Sequence, residues 1–132
     1  MKRLVFLAPM LVIAACAPIQ GTPPITYNAS SSDILATVAQ LCPALQPNSL
    51  YNYFSITSVS SNAVTCEAAP ILAMQILSST PNVSVTFTAL QNGTASSVAG
   101  AMNWHDPRAT NRDAVNKIFT ELDKKFTRIQ TP

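Results

Sequence analysis

Apolar side chains recur along this chain with two different periods, and each period predicts a different kind of element. Over residues 30–42 they recur at helical spacing, which favours an amphipathic helix. Ser30 and Asp33 have the spacing of a capping box at the start of this helix, and Pro43 ends or kinks it. The face predicted to be buried consists of Ile34, Leu35, Val38, Leu41 and Cys42.

An alternating pattern follows and predicts a first hairpin. Residues 51–59 and 63–68 form its two strands, joined by a turn at residues 60–62. The return strand directs three side chains towards the core: Val64, Cys66 and Ala68. Pro70 then opens a short apolar helix over residues 71–77, because proline is well tolerated in the first helical turn. Three of its side chains are predicted to be buried: Ile71, Leu72 and Ile76.

The second hairpin has the strongest local signal. Residues 83–89 alternate strictly between apolar and polar side chains, and residues 94–102 return after Asn92-Gly93. This dipeptide is typical of a two-residue hairpin turn. With Asn92 and Gly93 at the two central positions, the predicted pairs are Phe87 with Val98, Val85 with Gly100 and Val83 with Met102.

A last helix is predicted over residues 110–126. Thr110 and Asp113 repeat the capping-box spacing at its start. One apolar stripe runs along it, made of Val115, Ile118, Phe119, Leu122 and Phe126. The element order αββ(α)ββα predicts the α+β class, with a single small two-layer domain in which helices pack on an antiparallel four-stranded sheet.

The first sixteen residues have a different organisation. Lys2 and Arg3 precede an apolar run over residues 4–13, and the run ends in Ile13-Ala14-Ala15-Cys16. This arrangement resembles the signal peptide of bacterial lipoproteins. The resemblance implies that the chain is cut before Cys16, that the Cys16 thiol carries a diacylglycerol, and that the new amino terminus is acylated as well.

Two other interpretations of this segment were weighed. A signal anchor left in place is disfavoured, because residues 4–15 are far fewer than the roughly 20 apolar residues needed to span a bilayer. An ordinary secretory signal, cut after Ala15 or Ala17 without lipid, stays open. In a Gram-negative lipoprotein, Ala17 in place of the retention aspartate implies an outer-membrane location with the domain facing the periplasm. In a Gram-positive host the anchor implies the outer face of the cell membrane.

The resulting organisation is a signal peptide over residues 1–15, a lipidated cysteine with a tether over residues 16–29, and a globular domain over residues 30–132. The tether is predicted from Pro18, Gly21, Pro23 and Pro24, which interrupt any helical or alternating period. Fully extended it reaches roughly 45 Å at about 3.4 Å per residue. The domain is therefore expected to stay near the membrane.

Cys42 and Cys66 remain as an even pair once Cys16 is lipidated. In an oxidising compartment such a pair predicts a disulfide, worth about 3 to 4 kcal/mol by the loop-closure model. Two buried free thiols are the alternative. A zinc site is disfavoured, because two sulfurs lack the further ligands that zinc requires.

The charge balance of the chain without its signal peptide argues against one class of function. Removal of Lys2 and Arg3 from the eight basic residues leaves six of each sign. No basic stripe remains to follow a phosphate backbone, so nucleic-acid binding is not expected. Glu67 is the only charged residue between Asp33 and Asp106, and it is predicted to face solvent.

No catalytic or metal-binding residues are predicted. His105, between Trp104 and Asp106, is the single histidine and is expected to form only a local hydrogen bond. A thiol–imidazole pair with Cys42 or Cys66 would need a reduced, exposed cysteine. No phosphate-binding glycine loop or catalytic elbow is present, and no cofactor is expected beyond the lipid on Cys16.

The uncharged hairpins carry the functional hypothesis. Sheet edges are usually protected by Lys, Glu or Pro, whereas residues 51–102 offer mainly Ser, Thr, Asn and Gln. We therefore expect a non-enzymatic envelope lipoprotein that docks onto an envelope protein or onto copies of itself. The helix–hairpin–helix–hairpin order over residues 30–102 is loosely similar to small ring-forming domains of secretion-system lipoproteins. A merely solvated polar face, a periplasmic ligand-binding module and, less favoured, a small enzyme stay as alternatives.

Overall fold

An antiparallel sheet organises the whole fold. The computed structural model describes residues 20–102 and 110–130, and its strands in chain order are β1 Gln20–Gly21, β2 Ile25–Tyr27, β3 Ser55–Val59, β4 Ala63–Ala68, β5 Val83–Asn92 and β6 Ala95–Met102. The helices are α1 Ser31–Leu41, α2 Leu72–Leu77 and α3 Thr110–Lys125, with a 3₁₀ turn at Cys42–Ala44. The predicted α+β class and antiparallel sheet are confirmed.

The sheet has more strands than the four predicted from the sequence. Its order is β1-β6-β5-β4-β3, and β2 pairs with β6 beyond β1, so both amino-terminal strands share one edge. Both strands come from the segment expected to be a tether over residues 16–29. Pro23 and Pro24 fall in the connection between the two strands, and at a sheet edge proline does not remove an inner hydrogen bond. Tyr27 is completely buried, so this segment belongs to the domain.

Two helices cover one face of the sheet. The cap of α1 forms as predicted, since the Ser30 Oγ accepts a hydrogen bond from the Asp33 N–H at 3.1 Å. Helix α1 contacts β4, β5 and β6, and α3 contacts β5. Alternate strand residues are buried against them, which confirms the predicted inward faces of β4 and β5. The apolar stripe of α3 is also confirmed, with Val115, Ile118, Phe119 and Leu122 buried and Phe126 half-buried.

The predicted register of the second hairpin is wrong by two residues. Asn92 pairs with Ala95, so the central turn positions are Gly93 and Thr94. Gly93 has a φ of 63°, which satisfies the positive φ required at the first central position of a tight hairpin turn. The observed pairs are Phe87 with Gly100, Val85 with Met102 and Ala89 with Val98. Because side chains alternate with a period of two, this shift leaves the buried face unchanged.

Gly100 is a point of close approach between the sheet and α3. A Cβ at this position would lie 3.0 Å from Cγ1 of Val115 and 3.2 Å from Cε1 of Phe87. Val115 and Phe87 are themselves fully enclosed. The absence of a side chain at Gly100 therefore lets α3 pack directly onto the centre of the sheet.

The prediction that α2 is buried is wrong. Leu72 is 69% exposed and Ile76 is 74% exposed, while Ile71 is half-buried. Helix α2 follows the end of β4 and precedes β5, whereas α1 and α3 occupy the covered face of the sheet. The apolar pattern correctly predicted a helix, but no core surface is left for it to cover.

The strand predicted over residues 51–59 is shorter than expected. Strand β3 is confined to Ser55–Val59, while Tyr51 forms an isolated bridge with Pro70. Phe54 is buried, but Ile56 is 39% exposed, because β3 lies at the edge of the sheet and a bulge interrupts its register between Ile56 and Ser58. Within residues 51–59, therefore, only Tyr51 and Phe54, which precede β3, contribute to the core.

Replacing Gly100 with valine should destabilise the protein. The new side chain would crowd Val115 and Phe87, both of which are fully buried, so we expect a loss of about 2 kcal/mol in the free energy of unfolding. Urea denaturation measures this loss. Gly21→Val is the matched control, because its nearest neighbour would be the carbonyl oxygen of Gly100 at 3.9 Å. Equal stability of the two variants would contradict the close approach.

Candidate functional site

The predicted disulfide is present and joins a helix end to the sheet. Cys42 lies directly after α1 and Cys66 lies in β4, with their Cα atoms 6.3 Å apart. Both side chains are buried. The bond therefore fixes α1 against the sheet, and the alternative of two free thiols does not apply. Since both sulfurs are bonded, neither can act as a nucleophile paired with His105.

Two sites singled out from the sequence lie outside the described ranges. They are Cys16, the predicted lipidation site, and the loop site of His105 with its neighbours Trp104 and Asp106. Their roles stay as sequence-based expectations. The described residues instead show which surfaces of the domain are free to meet a partner.

Strand β3 forms an uncharged edge of the sheet. It pairs with β4 on one side, and it is the last strand in the order of the described sheet. All five of its residues are exposed. On the inner side, the hydroxyls of Ser55 and Thr57 donate hydrogen bonds to β4 carbonyl oxygens, those of Glu67 and Thr65. The outer side is a row of backbone groups without charged side chains around it, which is the geometry that accepts an added strand.

The face of the sheet opposite the helices is built from small side chains. Thr65 and Thr86 share a hydroxyl hydrogen bond of 2.9 Å across β4 and β5. Outward residues of β4, β5 and β6 are mostly half-buried by one another, as the small Ser, Thr and Ala side chains allow. This face consists mainly of small, uncharged side chains, and its outer strand β4 pairs directly with β3.

Glu67 is the only charged residue among the six described strands. It lies on the open face, as predicted, but it is not simply solvated. Its carboxylate accepts a hydrogen bond of 2.7 Å from the side-chain amide of Asn82. The hydrogen bond holds the single strand charge beside the start of β5.

One void between the sheet and the helices is far too small for an apolar ligand. The void between sheet and helices has a volume of about 10 Å³, and its lining includes Phe54, Phe87 and Ile118. That volume corresponds to roughly one water molecule. An apolar molecule between the two layers, as the ligand-binding alternative requires, does not fit into this void.

A polar cluster that the sequence pattern did not reveal joins β2 to the end of α3. The Tyr27 hydroxyl donates a 2.8 Å hydrogen bond to Oδ1 of Asp123. Arg128 donates from Nε to the same oxygen at 2.6 Å and from Nη2 to Oδ2 at 2.7 Å. Because 96 positions separate Tyr27 from Asp123, no local motif could indicate the contact.

The electrostatics of this cluster indicate a structural role. The Arg128 guanidinium, with a smaller contribution from the Tyr27 hydroxyl, holds the pKa of the Asp123 carboxyl below its usual range. Burial raises the pKa of Tyr27, and the hydrogen bond to Asp123 raises it further. A groove of about 370 Å³ lies beside the cluster, between α3 and the β1–β2 connection. The charges that reach this groove, Asp123 and Arg128, already satisfy each other.

Comparison with known proteins identifies no family for this chain. No family model, curated protein or solved structure matches this chain. No helix in the described part of the chain combines the length and the hydropathy of a membrane-spanning segment. Within residues 20–102 and 110–130, no group of His, Cys, Asp and Glu side chains is placed to hold a metal ion.

Replacing Asp123 with asparagine should remove stability that depends on pH. The lowered pKa means that the carboxylate stabilises the fold above its normal titration range, near about pH 4, and that this contribution is lost as the pH falls through the lowered value. We expect Asp123→Asn to cost about 1 kcal/mol at pH 7, because the pair is partly exposed, and the difference from the original protein to shrink in acid.

Chemical denaturation between neutral and acid pH measures this difference. Glu121→Gln is the matched control, since Glu121 forms an exposed ion pair with Lys124 on the same helix and should change stability at pH 7 by less than about 0.5 kcal/mol. A cost of Asp123→Asn that stays constant down to strongly acid pH would contradict the role of the carboxylate.

Proposed function

We propose that this chain is a small lipoprotein of the bacterial cell envelope, attached to the membrane through lipid on Cys16, with a non-enzymatic domain that acts as a structural or accessory part of an envelope assembly. The run Ile13-Ala14-Ala15-Cys16 after a basic start and an apolar stretch carries the proposal. The Cys42–Cys66 disulfide supports it, because stable disulfides are typical of exported proteins. Outer-membrane attachment with the domain in the periplasm follows from Ala17 in a Gram-negative host.

The proposed contact with the assembly is the β3 edge. Its backbone is exposed, its residues carry no charge, and the only strand charge, Glu67, is engaged with Asn82. An extended segment of an envelope protein, or β3 of a second copy, would add to the sheet by backbone hydrogen bonds. Among the described residues, the void between the sheet and the helices is too small for an apolar ligand, which favours this interaction role over a ligand-binding module.

Replacing Cys16 with serine should abolish fatty-acid attachment. Cells grown with labelled palmitate should yield a labelled protein from the original sequence and an unlabelled one from Cys16→Ser. The double variant Cys42→Ser/Cys66→Ser is the control and should keep the label, because those sulfurs are bonded to each other. Mass spectrometry of the native protein that found a bare Cys16 thiol, or the leader still attached, would overturn the proposal.

A photoreactive residue placed at Ser58 should capture the docking partner in intact cells. Ser58 is exposed in β3, so we expect one defined adduct, either with a second copy or with one envelope protein. Introducing Val59→Lys, at a position 66% exposed, should remove the adduct without unfolding the domain, since edge lysines oppose strand addition. Lys124, exposed on α3, is the control site.

The same adducts from Ser58 and Lys124 would contradict a specific edge contact. The absence of any adduct from Ser58, together with a monomeric mass by light scattering at high concentration, would do the same.

A further inference from the structure

Helix α2 presents an unpacked apolar surface. Its large side chains Leu72, Ile76 and Leu77 are 69%, 74% and 82% exposed, and none of its residues is buried. The chain carries no charge between Glu67 and Asp106. Tyr53 is 62% exposed and lies near the start of α2. The backbone N–H of the preceding residue, Asn52, donates a hydrogen bond to the carbonyl oxygen of Ala69, just before α2. We call the four exposed side chains Tyr53, Leu72, Ile76 and Leu77 the α2 patch.

The α2 patch lies at the end of the sheet where the amino-terminal segment enters the domain. Gln20 pairs with Met102, and Met102 pairs with Val85. Val83, two residues earlier on β5, pairs with Ala68, after which the chain leads into α2. The Gly93–Thr94 turn closes the opposite end of the sheet. The strand register therefore puts Gln20, which follows Cys16 by four residues, and the α2 patch at one end of the described domain.

The distance from the lipid to this end is short. Since β1 begins at Gln20, four residue steps separate it from Cys16, which fully extended reach about 14 Å. This reach is far less than that of the tether expected from the sequence. A domain held so close to the membrane has the end that contains Gln20 confined to the layer next to the lipid headgroups.

We propose that α2 lies in the surface of the bilayer to which Cys16 is attached, with Leu72, Ile76 and Leu77 inserted at the boundary between headgroups and acyl chains. The proposal rests on the lipidation of Cys16 proposed above. Apolar insertion explains why a six-residue helix exposes three large aliphatic side chains and carries no charge. Without Lys or Arg on α2, the contact should not depend on anionic lipid or on salt.

This placement leaves the β3 edge available to a protein partner. With the entry end of the sheet towards the bilayer, the strands rise away from the membrane, and β3 stays open along its outer side. The lipid anchor and α2 then form two points of attachment. Two attachments fix the orientation of the domain, which a single flexible anchor does not.

Depth-dependent quenching tests the insertion in the lipidated full-length protein. With Cys16 lipidated and Cys42 bonded to Cys66, an introduced cysteine is the single free thiol. We would label Leu77→Cys with an environment-sensitive fluorophore and reconstitute the protein in phosphatidylcholine vesicles that contain lipid with a nitroxide near the headgroup. Leu90→Cys is the matched control, because Leu90 is 57% exposed and lies about 23 Å from Val83 along β5.

We expect the label at Leu77→Cys to lose about half of its emission to the nitroxide, as for a group within 5 to 10 Å of the headgroup boundary, and the label at Leu90→Cys to lose little. The same difference should persist in anionic vesicles and at high salt. Equal quenching at the two sites, or none at Leu77→Cys while the protein stays on the vesicles, would overturn the insertion and leave the lipid anchor standing. A purified protein whose Cys16 proves to be free of lipid would overturn both.

Discussion

The close approach of Val115 and Phe87 to the bare backbone of Gly100 brings α3 against the sheet, and the other links between the two layers lie on either side of it. On one flank the Cys42–Cys66 bond holds the end of α1 to β4. On the other flank the hydrogen bond from Tyr27 to Asp123 holds the amino-terminal edge to α3. Three different interactions, namely close packing, a covalent bond and a polar cluster, thus fasten one layer to the other.

The same arrangement decides which parts of the chain remain free. Two helices are enough to cover one face of the sheet, so α2 and β3 lie outside the packed layers with their side chains exposed. Charged residues also separate between the helical side and the strands. Helix α3 carries several of them, whereas Glu67 is the single charged residue in the described strands. A domain with a charged helical side and uncharged strands can tolerate close neighbours on its strand side, which agrees with an accessory role in an envelope assembly.

Local and alternating patterns predicted much of this fold because they depend on neighbours in sequence. The Ser30 cap, the inward face of β4 and the stripe of α3 are all of this kind, and the pair of cysteines left after Cys16 predicted the disulfide. The pairing of β2 with β6 was missed, because Pro23 and Pro24 are typical of linkers as well as of edges. The hairpin register was missed because a shift of two keeps the same face buried. The apolar pattern of α2 predicted a helix but could not reveal that the core was already filled, and the Tyr27–Asp123 contact has no local signature.

Placing β1 and β2 beside β6 also constrains the order in which the polypeptide matures. Synthesis proceeds from the amino terminus, so residues 20–27 emerge long before β6, their pairing strand, and before Arg128, which bridges to Tyr27. Strands that lie far apart in the sequence pair late and slowly during folding. Residues 20–27 are therefore the last to join the sheet, and until they pair with β6 that side of β6 is an open template for strands of other molecules.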